Sequence, residues 1–186
     1  MEPVFKMKVK KKILYLEFFI PIGDYFSTIK KNEIIFEWLI PLLLSIGFYF
    51  GLSSEMSFEK IVEFNGYVIN SLAILIGFSI TCLTILSTSN NHNITELKNG
   101  MSERKIGNKN ICLFQLIYIT FSFSLFMELF TLTYDLMYYL LYSAVTEKIF
   151  AKATFTVSIF LVFNIIFLTI RNITNFYLIF YKQESV

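Results

Sequence analysis

The chain has 186 residues, of which 55% are apolar, 18% aromatic and only 16% charged. Soluble domains average about 45–50% apolar and about 25% charged residues, so a globule surrounded by water is excluded as the expected state. A formal net charge of +2 is too small to argue for nucleic acid, and no direct nucleic-acid binding is expected.

Residues 1–33 form a basic segment that includes Lys8, Lys10, Lys11, Lys12, Lys30 and Lys31. It begins like a secretory signal, but Glu17 interrupts the apolar run and no small-residue cleavage pattern follows. The segment is expected to be retained on the cytoplasmic surface of the membrane. Its lysines would sit on anionic lipid, with Phe18, Phe19, Tyr25 and Phe26 at headgroup depth.

Four apolar segments follow, at 34–52, 68–88, 111–142 and 153–170. Each approaches or exceeds the roughly 20 residues that cross about 30 Å of hydrocarbon. The third is overlong, and its tyrosine-rich end from about Tyr134 is expected to leave the hydrocarbon. The expected fold is all-α: a polytopic membrane protein of four transmembrane helices preceded by an interfacial segment. Between the helices lie an outer amphipathic loop (53–67), a cytoplasmic loop (89–110) and a short outer loop (143–152), and an aromatic tail (171–186) ends the chain.

In the first span Pro41 removes a backbone donor near the inner end, and Gly47 and Gly51 form a G-x-x-x-G pair. With Gly77 of the second span, they are the expected helix-packing positions, within the chain or between subunits. Glu55, Glu59 and Glu63 recur every fourth residue in the outer loop, as a solvated face or an acidic ring about a symmetry axis. The second span adds Asn70, which can line a water path in an oligomer or serve packing.

Cys82 and Cys112 differ in depth and are expected to stay reduced. Middle-loop His92 has no ligand-spaced neighbours, so neither a metal nor a cofactor is expected. Arg104, Lys105 and Lys109 of the same loop are membrane anchors or a docking patch for a cytosolic protein.

Glu128 and Asp135 in the third span share a face, at a cost in lipid unless they point inward. Glu128 reads as lying toward the outer end of its span, with Lys152 the better-placed partner for either acid. Asn164 is expected to bond a neighbouring helix, and Arg171 to snorkel to the inner headgroups.

Charge sets the expected orientation. Thirteen of the sixteen Lys and Arg fall in the N-terminal segment, the middle loop and the C-terminal tail. Short cationic loops are retained in the cytoplasm, so both termini are expected inside. No phosphate-cradling glycine loop, metal-spaced cluster or nucleophile with a histidine base appears, so an enzyme is not expected.

A small, aromatic-rich, four-span chain with both ends inside, a second span reading LAILIGFSITCLTIL from Leu72 to Leu86, and a polar inner loop after it resembles small bacterial anti-phage membrane proteins. Among these it is most similar to the membrane subunits of the Kiwa defence system. The resemblance implies a homo-oligomer in the bacterial inner membrane that senses membrane disturbance and holds a cytosolic effector. It rests on architecture and carries over no site residue. A pore-forming effector and a small ion or solute transporter remain the alternative readings.

Overall fold

The computed structural model describes residues 16–51, 58–89, 92–141 and 148–181. A short 3-10 turn leads into helix α1 (Ile20–Thr28), and α2 spans Lys31–Gly51. Helix α3 is Phe58–Thr88 and α4 is His92–Asn99. A hairpin of β1 (Met101–Ile106) and β2 (Lys109–Cys112) follows, and then α5 (Leu113–Leu141) and α6 (Lys148–Tyr181).

Helices α2, α3, α5 and α6 are long and apolar enough to cross a membrane, and the chain is an all-α, multi-pass membrane protein. Its surface agrees with lipid as solvent, since Phe50 is 80% exposed and Ile74 77%. In water such side chains would form an apolar surface that a soluble monomer does not carry.

The spanning helices do not share burial equally. The most apolar windows of α5 and α6 are 44% and 39% buried, against 17% for α2 and 22% for α3. The difference follows from neighbours: α2 packs on α6, α6 on α5, and α5 on α3, so the order across the protein is α2, α6, α5, α3. Helix α1 lies against α5, where Tyr25 stacks on Phe123 with ring centroids 3.6 Å apart. Val68 and Leu72 of α3, Met127 of α5 and Leu161, Ile165 and Leu168 of α6 complete this core.

Several expectations need correction. The N-terminal segment does not present Tyr25 to lipid headgroups, because its side chain is fully buried in the main core. Phe26 stays half exposed; Phe18 and the lysines at 8, 10, 11 and 12 lie outside the residues whose side chains are described. Helix α3 starts at Phe58, so from there the expected outer loop is a continuation of the second span, secured by Ile61 against Phe155 and Ile159. The fourth span likewise continues past Arg171 to Tyr181, because Phe176 finds Phe121 of α5 to pack on, at 6.0 Å between centroids.

The middle loop holds the only strands among the described residues. Helix α4 ends where the Gly100 amide donates to Glu96 at 2.7 Å, and Leu113 donates to the Gly100 carbonyl at 2.9 Å. A Cβ at Gly100 would lie 3.1 Å from the Leu113 side chain and 3.2 Å from the Glu96 carbonyl, so this handover favours glycine. Ile106 pairs with Lys109 across a turn that opens on Gly107, whose φ of 58° suits the first central position of a hairpin turn.

Candidate functional site

The site begins with a missing proton. Pro41 has no amide hydrogen, so the carbonyl of Glu37 one turn earlier loses its α-helical donor. Helix α2 accommodates this with a π-helical stretch over Ile35–Leu39, in which the Ile40 amide donates to the Ile35 carbonyl. Asn164 of α6 then donates its side-chain amide to the Glu37 carbonyl at 2.6 Å. Asn164 and Glu37 are both fully buried.

The same stretch aims the Glu37 carboxylate at α6 and α1. Arg171 donates to Oε1 at 2.6 Å, and the Tyr25 hydroxyl donates to Oε2. The indole of Trp38 donates to the Tyr25 oxygen at 3.3 Å. Burial, and then the Glu37 carboxylate beside it, push the Tyr25 phenol well above its ordinary range, so it stays a donor.

One turn back along α2, Glu33 extends the network out of the spanning region. Its carboxylate accepts the Lys30 amide at 2.8 Å, the reach-back of a helix capping box. It also receives Arg104 of β1 through two bonds, of 2.7 and 2.6 Å. Arg171 closes the set with its second nitrogen 3.3 Å from Glu33.

Arg104 donates besides to the carbonyl of Thr28, at the end of α1. Ser102 orients the strand, donating to the Ile111 carbonyl at 2.7 Å and accepting the Arg104 amide at 3.2 Å. The hydrogen bonds to Glu33 hold the Arg104 guanidinium above its already high range. Two arginines and two glutamates thus join four elements: α1, α2, the hairpin and α6. Bidentate arginine–carboxylate geometry gives such a junction direction as well as attraction.

The expected site residues separate accordingly. Arg104 is committed inside the fold, while Lys105 and Lys109 project from the hairpin, exposed. Arg171 does not snorkel; with 13% of its side chain exposed, it turns onto Glu33 and Glu37 because two carboxylates meet it there. Lys30 forms an exposed pair with Glu103 at 3.2 Å, and Lys31 is exposed.

Gly47, Gly51 and Gly77 face outward, and a Cβ at any of them would meet nothing within 4 Å. They therefore mediate no packing among the described residues. Asn70 is exposed on α3. Glu63 is exposed and accepts the Tyr67 hydroxyl at 3.1 Å, whereas the side chains of Glu55 and Glu59 lie outside the described residues.

Glu128 is near the middle of α5, not its outer end, and is fully buried. Its Oε1 accepts Ser79 of α3 at 2.9 Å and Ser124 at 3.2 Å. Asp135, also fully buried, accepts Ser158 of α6 at 2.6 Å. Lys152 partners neither acid; its ammonium lies 4.6 Å from the ring centroid of Tyr49.

Glu33, Glu37 and Trp38 escaped the reading of the sequence, in which Tyr25 is an interfacial aromatic only. A usable signal was there: Glu33, Glu37 and Pro41 are each four residues apart, on one face of an apolar segment. An arginine near the corresponding end of the fourth segment was the partner to seek. No protein-family model, curated protein or solved structure matches the chain.

Proposed function

We propose that this protein is a non-enzymatic membrane sensor and scaffold that passes a change in the packing of its spanning helices to a soluble protein on the hairpin side. The observation that carries this reading is the placement of Arg104. It ties a hairpin outside the spanning region to α2, α6 and the end of α1 through groups that are largely shielded from water. A shift of α6 against α2 would move Arg171, and through the shared Glu33 would disturb the seat of Arg104.

The hairpin exposes Lys105 and Lys109, which fit an acidic surface on the partner. Positive charge on that side makes it the cytoplasmic face, with both termini inside and the chain in a bacterial inner membrane. The outward glycines of α2 and α3 suit close approach by further copies, so the scaffold is a homo-oligomer. This is the role that the resemblance to the Kiwa membrane subunit implies, in anti-phage defence; here it rests on the junction. A pore lined by Glu128 between copies is disfavoured, since that side chain is buried within one chain.

The test is affinity capture of the tagged protein, mildly solubilised from cells carrying its native neighbouring genes, followed by mass measurement of the intact complex. A stoichiometric soluble companion that is lost when Lys105 and Lys109 are both changed to Glu supports the reading. Unchanged retention by that variant removes the docking surface, and a homo-oligomer without a companion transfers the weight to a pore.

A further inference from the structure

The inward face of α5 is polar along most of its length. Thr120, Ser124, Glu128, Thr131 and Asp135 recur every three or four residues, and each is at most 1% exposed. That spacing places them on one stripe of the helix. The stripe faces the seam between α3 and α6: Ser79 reaches Glu128 from one side and Ser158 reaches Asp135 from the other.

The seam holds more hydrogen-bonding capacity than the chain uses. Glu128 Oε2 and Asp135 Oδ2 are buried without a hydrogen-bond partner, as are both polar atoms of the Asn65 side chain on α3. Asn65 is fully buried about four turns from Ser79, toward the end of the seam where Asp135 lies. Buried polar groups in folded proteins are almost always paired, so three along one seam point to a place that can take up a small polar partner.

Among the described residues no cation supplies the missing partner. No Lys or Arg among the described residues pairs with either acid. The other titratable groups nearby are Cys82 on α3 beside Glu128, and Tyr134 and Tyr138 on α5 beside Asp135. On α6, Lys152 is engaged at the ring of Tyr49, and the junction arginines are occupied by Glu33 and Glu37. From α2 and α1, Glu37 and Tyr25 are turned onto each other.

Two carboxylates that receive only serine hydroxyls within an apolar bundle are held best as neutral acids. A proton on Glu128 Oε2 or Asp135 Oδ2 then meets no acceptor among the described residues. Glu128 and Asp135 lie about two turns apart, with Thr131 between them, a separation that a few water molecules would bridge.

We propose that this seam is an intramembrane proton-binding site, with Glu128 and Asp135 as its two carboxyls. The site is independent of the scaffold reading. Apolar clusters close it at both ends: Cys82, Leu86, Ile117 and Phe121 on the hairpin side, and Ile61, Phe155 and Ile159 with Tyr138 on the other. Proton exchange therefore requires α3 or α6 to part from α5.

A hydrophobic carbodiimide tests this, because it forms an adduct with a protonated carboxyl in apolar surroundings. The purified full-length protein in liposomes is treated over a range of mildly acidic to mildly alkaline pH, and the adducts are located by peptide mapping. The expected result is modification at Glu128, Asp135 or both, declining as pH rises. Glu128→Gln and Asp135→Asn, which keep the side-chain shape, each remove any adduct mapped to the substituted position. Absence of modification at both residues across the range overturns the proposal, as does modification indifferent to pH. Suppression by sodium at constant pH overturns it in favour of a small cation. Should a variant fail to fold, the mapped positions and pH response of the wild-type chain decide alone.

Discussion

Asn164 of α6 donates to the backbone carbonyl of Glu37, the carbonyl left without its α-helical donor by Pro41. A side chain on the last spanning helix thus replaces a backbone hydrogen bond in the first, and does so where the π-helical stretch turns the Glu37 carboxylate toward Arg171. Asn164→Leu is expected to destabilise the protein by about 1–3 kcal/mol, the range for leaving a buried polar group unpaired. Pro41→Ala restores an amide donor, so Asn164→Leu is expected to cost less in that background. Thermal unfolding of the four proteins in one detergent, analysed as a double-mutant cycle, checks the coupling.

The pair of Glu37 and Arg171 makes a second prediction. Glu37→Leu strands the guanidinium with Glu33 as its remaining carboxylate and removes the acceptor of Tyr25. The expected loss is about 3 kcal/mol, as for breaking other buried pairs. Changing Glu37 and Arg171 to Leu together is expected to recover a substantial part, because no buried charge is then left alone. Denaturation midpoints of the single and double variants measure this, and equal losses in all of them would contradict it.

Arg104 is expected to hold the hairpin rather than the helices. Arg104→Ala removes both bonds to Glu33 and the bond to Thr28 while leaving every apolar contact of α5 and α6 in place. Amide exchange over residues 101–112 should quicken by about 10-fold or more, which corresponds to roughly 1.4 kcal/mol of local stability. Exchange in the centre of α5 should stay unchanged. Lys105→Gln and Lys109→Gln, both on the exposed side of the hairpin, should leave the exchange pattern alone.

The outward glycines offer a test of assembly that does not disturb the protomer. A Cβ at Gly47 or Gly77 meets nothing within 4 Å among the described residues, so Gly47→Leu and Gly77→Leu are expected to fold and insert normally. If copies meet through these faces, the intact mass in mild detergent falls to that of a smaller assembly. An unchanged mass with both substitutions places the contact elsewhere.

The spanning segments were legible because lipid acts on composition directly. Lys, Asp and Glu are scarce in stretches of the length that hydrocarbon requires, and no tertiary knowledge is needed to see that. The ends of the helices were less legible. Nothing in the residues near Phe58 or beyond Arg171 says whether a helix stops at the membrane boundary; Ile61 and Phe176 decide it by the neighbours they find. Arg104 and Lys105 are adjacent cations in one strand, yet only the fold turns Arg104 onto Glu33 and leaves Lys105 exposed.

By itself the sequence determined that the protein lives in a membrane, that four segments can cross it, and that Pro41, Glu128 and Asn164 carry polar demands which lipid cannot meet. Those are properties of single residues in a solvent of known chemistry. Which groups meet the demands was decided by tertiary structure alone. Asn164 serves Glu37, Ser79 serves Glu128 and Arg171 serves two glutamates because antiparallel helices bring residues far apart in sequence to one depth, and a hydrogen bond needs its partners within about 3 Å.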